Sequence, residues 1–284
     1  MKRIQRLAIY NGIACILHLI VVFLTRNNIL NSTGIAEIAQ KYSTLFTPTR
    51  MTYHIWELIY ATLFAFCAYH LVMAYKQDER HPANAVVLKI GWLFVFVNIA
   101  AAIRLLAWTQ EWLSLCLIMI TTQLFLLLKI HSRLGLYDSR RSLESKVFTQ
   151  FTISLYLGWT LVTLFANIGS WLVAIQWNGW GISSINWTIT QIAILTLIAM
   201  SIVSSKNNVV FGLAVIWGFY GITLQRIAID QEEYQPVILV ARAGMAIVAF
   251  MCLTAFIRNL IKRRRARIRR SPSSGPDKTK EING

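Results

Sequence analysis

The sequence predicts an all-α integral membrane protein of about eight transmembrane helices. Three observations predict it. Hydrophobic residues make up 56% of the 284 and charged residues only 14%, where a soluble domain carries about a quarter charged. The apolar residues fall in runs of roughly twenty, the length that crosses about 30 Å of hydrocarbon at 1.5 Å per residue. The basic residues collect in alternate gaps between those runs, which is how loop charge sets topology.

The first span is read over 7–25. It follows Lys2, Arg3 and Arg6 in the manner of a signal peptide, but Thr25-Arg26-Asn27-Asn28 offers no small-x-small cleavage site, so a retained helix is expected. Further spans are read over 51–75, 86–108, 112–130, 148–175, 186–204, 208–225 and 236–260. The tail over 261–284 is basic, then rich in Ser, Pro and Gly. It has no apolar face to bury, so it is expected to be disordered and cytoplasmic. With the N-terminus placed inside, inner segments hold 22 Lys and Arg and outer segments 4. That asymmetry predicts both termini in the cytoplasm.

Charge and composition exclude other classes. The net charge of +16 lies in short loops and the tail rather than on an aromatic-studded basic stripe, so nucleic acid is not an expected partner. Cys15, Cys67, Cys116 and Cys252 all sit inside apolar runs with no close pair, so neither a metal site nor a redox motif is expected. No Ser/His/Asp set or phosphate loop is present, and no catalytic residue is assigned.

Three segments carry more than hydropathy. Pro48, Trp56 and Tyr60 mark the second span, Asn98 the third, and Tyr156, Trp159 and Asn167 the fifth. In type and spacing these resemble the TspO/MBR family, the tryptophan-rich sensory or translocator proteins, in a longer bacterial branch. The chain departs from that pattern at Arg50 and Tyr53, and at 99–102, where no Trp follows Asn98. The resemblance covers about 1–178. It implies a five-helix TspO-like part followed by a three-helix extension over 179–260. It also implies a receptor or transporter, not an enzyme, for an apolar or amphipathic molecule such as a porphyrin or sterol. A tetrapyrrole is the ligand it suggests, the lipid bilayer is a partner, and a homodimer is one assembly open to it.

Depth counting places the residues that would carry this function. Glu57, Arg104 and Arg242 fall roughly 6–9 Å below the outer boundary, and charges inside spans usually face a partner. Glu57 is therefore expected to pair with Arg104 or Arg242. That pair is read either as the polar floor of an outward-facing pocket or as a structural lock between the two helical parts. Asn98 and Asn167, at matched depth, are expected to form an interhelical amide pair. Trp56, Tyr60, Asn98 and Asn167 are expected to line the site, with Glu57 and Arg242 near its mouth. Trp159 counts to about 24 Å from the outer end and is expected to pack elsewhere. His54, three residues before Glu57, is read as interfacial, and His18 and His70 as lying at unrelated depths. The uncharged outer loop over 176–181 is aromatic enough to cap a ligand, and 134–140 fits a loose sterol pattern through Tyr137. Two other classes stay open: an ion-coupled secondary transporter using Glu57, and an intramembrane enzyme.

Overall fold

The computed structural model describes residues 2–30, 33–135 and 142–268. Among these residues it is all-helical: α1 (Arg3–Arg26), α2 (Ile35–Lys41), α3 (Ile55–Lys76), α4 (Pro82–Ile90), α5 (Leu93–Thr109), α6 (Leu113–Leu134), α7 (Thr152–Ala174), α8 (Ser184–Lys206), α9 (Val209–Ile229) and α10 (Gln235–Ile268). Seven helices are long and apolar enough to cross a membrane, and there are up to eight such spans if the bent pair α4–α5 is one. Every span read from the sequence has its helix. The sterol-pattern segment through Tyr137 lies outside the described residues.

Alternate helix ends fall on two faces. Arg3, Lys76, Leu134 and Lys206 lie at helix ends on a basic side, where α10 also runs out through Lys262, and Arg26, Thr109, Ala174 and Ile229 lie at helix ends on the opposite side. The packing follows a chain: α3 and α5 lean on α1, α6 on α5, α7 on α6, α9 on α7, and α10 on both α9 and α8. The centre is α7, where every residue from Thr152 to Thr163 is buried. Gly158 and Gly218 let α9 come close to it. A Cβ on Gly158 would lie 2.8 Å from the Phe211 carbonyl oxygen, and one on Gly218 would lie 2.7 Å from Val162 Cγ1. Lipid offers no hydrophobic drive for helices to associate, so close backbone packing of this kind holds them together.

Capping explains where several helices start and stop. Pro82 opens α4, where its missing N–H costs nothing, and the His81 side chain accepts from Ala83 N–H. Asn208 Oδ1 caps α9 by accepting from Phe211 N–H at 3.1 Å. Asn207, at φ 52°, ends α8 in the left-handed region that Asn tolerates.

Three expectations of plain geometry are corrected. The third span is not one straight helix: α4 and α5 meet at 57°, hinged at Gly91 with φ +53°, a conformation a side chain would resist. The amide of Asn84 in α4 donates to the carbonyls of Met73, Gln77 and Asp78, so the short helix is tied across the end of α3. The tail is not irregular from residue 261, since α10 continues to Ile268 through Lys and Arg, which are good helix formers.

The third correction concerns the connection between α1 and α3, which enters the bundle. Phe46 and Thr52 are fully buried. Phe46 packs on Phe165 with ring centroids 6.0 Å apart. The Thr49 N–H donates to the Gly221 carbonyl at 3.1 Å, and Trp217 Nε1–H donates to the Thr52 carbonyl at 2.9 Å. Thr52 lies directly against Gly221. Irregular backbone inside a membrane is tolerated where protein covers it and its donors are met. Here Thr47 Oγ1 accepts from Thr44 N–H at 2.9 Å and Thr44 Oγ1 from Phe46 N–H at 3.3 Å.

Candidate functional site

The buried connection delivers Tyr53 and Trp56 to the centre of the bundle. A 3₁₀ turn over Arg50–His54 leads into α3. The Trp56 ring stacks on Tyr60 one turn later, with centroids 5.7 Å apart and planes at 19°. It also meets Tyr156 edge-on at 6.2 Å and Trp159 at 6.3 Å. Tyr53 meets Trp159 at 6.0 Å. The i, i+3 spacing of Tyr156 and Trp159 puts both on the face of α7 that α3 approaches.

The placement of Trp159 corrects the depth argument. Counting from Met51 treats the second span as starting at the membrane boundary. The chain has already descended by then, because Thr44 packs against Gly169 and Thr52 against Gly221, well inside α7 and α9. Trp56 and Trp159 therefore share one level and one cluster.

A cation stands over this cluster. The Arg104 guanidinium carbon lies 5.4 Å from the Trp56 ring centroid, within cation–π range. Arg104 is only 8% exposed. Its Nε has no hydrogen-bond partner, and among the described residues it takes part in no ion pair. The indole Nε1 of Trp159 is likewise buried and unpartnered.

The expected pairing of Glu57 with Arg104 or Arg242 is not the one formed. Glu57 Oε1 lies 3.2 Å from Arg26 Nη2 and 3.0 Å from His54 Nδ1. Its side chain is 53% exposed, so it faces the margin of α1 and α3 rather than the cluster. The helical phase decides this: Trp56 faces inward and Glu57, one residue on, is turned about 100° away. Arg242 is exposed on α10, whose packing neighbours are α8 and α9, and it stands apart from Trp56.

The asparagines do not pair with each other either. Asn98 Oδ1 accepts from His18 Nδ1–H at 3.1 Å, and its amide donates to the Phe94 carbonyl at 2.8 Å. The His18 ring in turn meets Tyr60 edge-on at 5.8 Å. Asn167 donates to the Thr163 carbonyl at 2.9 Å, and its Oδ1 is buried without a partner. Of the residues singled out in the sequence, Trp56 and Tyr60 are brought together, Asn98 joins them through His18, and Glu57 and Arg242 stand apart. Sequence reasoning missed His18, which meets Tyr60, and Tyr53, which meets Trp159, as members of this cluster. For Tyr156 a signal was present in its spacing to Trp159. For His18, a lone histidine in an apolar run, there was none.

Trp177 and Trp180 of the loop after α7 pack with Trp187 in the first turn of α8, with centroids 5.0–6.1 Å apart. Trp187 Nε1–H donates to the Gly179 carbonyl at 2.9 Å.

Chemically, the central cluster gathers five aromatic rings, a buried guanidinium with no ion-pair partner among the described residues, and an unpartnered indole donor. Comparison with known proteins adds one finding. A family model described as TSPO-like protein matches residues 8–254. No curated protein and no solved structure matches the chain. The match runs through the last three helices, which the motifs alone had left as an extension.

Proposed function

This chain belongs to the TSPO-like protein family, and from that premise we propose that it is a membrane receptor or transporter for an amphipathic small molecule with a flat apolar body and an anionic group. The observation that carries the reading is Arg104. A buried cation without a carboxylate is costly unless something neutralises it, and this one lies over Trp56. The rings of Trp56, Tyr60, Tyr156 and Trp159 bury large area and suit stacking, while few polar groups orient most small-molecule ligands. By family resemblance the ligand is porphyrin- or sterol-like, and the anionic requirement favours a tetrapyrrole acid.

The test uses the purified full chain in detergent, with protoporphyrin IX and its neutral dimethyl ester as probes and tryptophan quenching as readout. The acid should bind at least about tenfold more tightly than the ester, equivalent to about 1.4 kcal/mol. Arg104→Gln should remove that preference. Equal binding of acid and ester by the unmodified protein, or binding of a neutral sterol alone, would overturn the anionic reading.

A further inference from the structure

We propose that the cleft between α6, α7 and α8 at the basic end of the bundle holds one acyl chain of an anionic phospholipid, with the head group on Lys206. The cleft has a cavity volume of ≈ 160 Å³, room for part of one chain, and is lined by Leu128, His131, Ser132, Leu157, Ile202, Ser205 and Lys206.

Its lining is graded along the helix axes. Leu128 and Ile202 lie about a turn or more below the ends of α6 and α8, and Leu157 lies inside α7. Ser132, Ser205 and Lys206 occupy the last turns, at the mouth, and all three are exposed. An apolar floor under a polar, cationic rim matches a hydrocarbon chain joined to an anion.

The walls are fixed before any lipid arrives. Asn208, at the start of α9, donates to Ser154 Oγ on α7 at 2.9 Å, and its amide lies 3.0 Å from His131 Nε2 on α6. Charge at the rim has one sign. Among the described residues Lys206 takes part in no ion pair. The Asn259 amide donates to the Asn207 carbonyl at 3.1 Å, which holds α10 beside the end of α8. Basic pockets between transmembrane helices are suited to anionic head groups. This site is separate from the aromatic cluster and does not depend on what binds there.

The experiment releases the full chain from nanodiscs of mixed phosphatidylglycerol and phosphatidylcholine and counts retained lipid by native mass spectrometry. One phosphatidylglycerol should be held in preference to phosphatidylcholine. Lys206→Gln should lower its affinity about fivefold, the effect of one basic residue at a membrane surface. Lys262→Gln, outside the cleft, should leave it unchanged. Ile202→Phe should fill the floor and displace both lipids while the melting temperature stays within a few degrees. An equal loss from Lys262→Gln and Lys206→Gln would reduce the effect to diffuse surface charge and overturn the proposal. So would unchanged retention in Ile202→Phe, or displacement of phosphatidylglycerol by millimolar inorganic phosphate.

Discussion

His18 on α1 and Asn98 on α5 are joined through their side chains, Nδ1 to Oδ1 at 3.1 Å, and both are almost wholly buried. Neither has a polar neighbour in sequence to suggest the other, 80 positions away. The pair braces the wall behind Tyr60.

Breaking that brace has a defined cost. Asn98→Leu leaves the His18 N–H buried without an acceptor and should destabilise the protein by about 1–2 kcal/mol, between the membrane and general values for such a loss. His18→Leu combined with Asn98→Leu should regain much of this, because an apolar pair needs no partner. Thermal unfolding in detergent measures both. A double variant as unstable as the sum of the singles would show the two side chains to be independent.

Trp56 and Trp159 should fail together. Their rings are 6.3 Å apart, so either Trp56→Leu or Trp159→Leu should weaken protoporphyrin IX binding by roughly tenfold or more. Loss in the first variant with full affinity in the second would confine the site to α3 and return Trp159 to a packing role.

Arg104 should be a liability to the empty protein. Replacing an unpaired buried charge by a side chain of similar volume is neutral or stabilising, so Arg104→Met should melt at the same or a higher temperature while losing the preference for the acidic probe. A clear fall in melting temperature would mean that Arg104 is held by interactions stronger than its contact with Trp56.

Glu57 should be coupled to Arg26 and not to Arg104. In a double-mutant cycle on melting temperature, Glu57→Gln with Arg26→Gln should be non-additive and Glu57→Gln with Arg104→Gln additive. The effects should be small, because both members of the pair are substantially exposed. Coupling to Arg104 instead would place Glu57 inside the site.

A pH dependence is expected at α2. Glu111 Oε2 lies 2.5 Å from Lys41 Nζ and 2.6 Å from the Tyr42 hydroxyl, tying α2 to the turn between α5 and α6. The Lys41 hydrogen bond, then that of Tyr42, holds the Glu111 carboxyl below its usual value. The link is therefore complete above the ordinary glutamate range and is lost as pH falls through the lowered value. The hydrogen bond to Glu111 also raises Lys41, whose contribution holds below the ordinary lysine value and is lost as pH rises through the raised one. Hydrogen exchange of α2 amides should quicken at the acid end in the unmodified protein. In Glu111→Gln it should be fast throughout, and a pH step that survives there would exclude this link as its cause.

Much of the fold could be read from hydropathy, since the run over 148–175 and the helical segment Ser145–Ala174 differ little at their ends. The site was half legible. The spacing of Trp56, Tyr60, Tyr156 and Trp159 pointed to the right aromatic residues, but linear depth counting separated two that touch. Depth counting assumes a chain that enters the membrane where its apolar run begins. The segment around Phe46 breaks that assumption with threonine hydroxyls that satisfy their own backbone, and hydropathy scores such a stretch as surface. The same limit hid the hinge at Gly91, which changes direction without changing composition.

The anchoring of Thr49 and Thr52 to Gly221 and Trp217 has a consequence for how the protein is made. Chains are synthesised from the N-terminus, so the second span leaves the ribosome long before α9. Until residues 209–229 have been inserted, the Thr49 N–H lacks its acceptor and the Thr52 carbonyl its donor. Tyr53 and Trp56 can then reach their positions only late. Residues of the aromatic cluster that are translated early are thus among the last to be set, and a nascent chain halted after α7 would carry all of the cluster's aromatic residues without the scaffold that aims them.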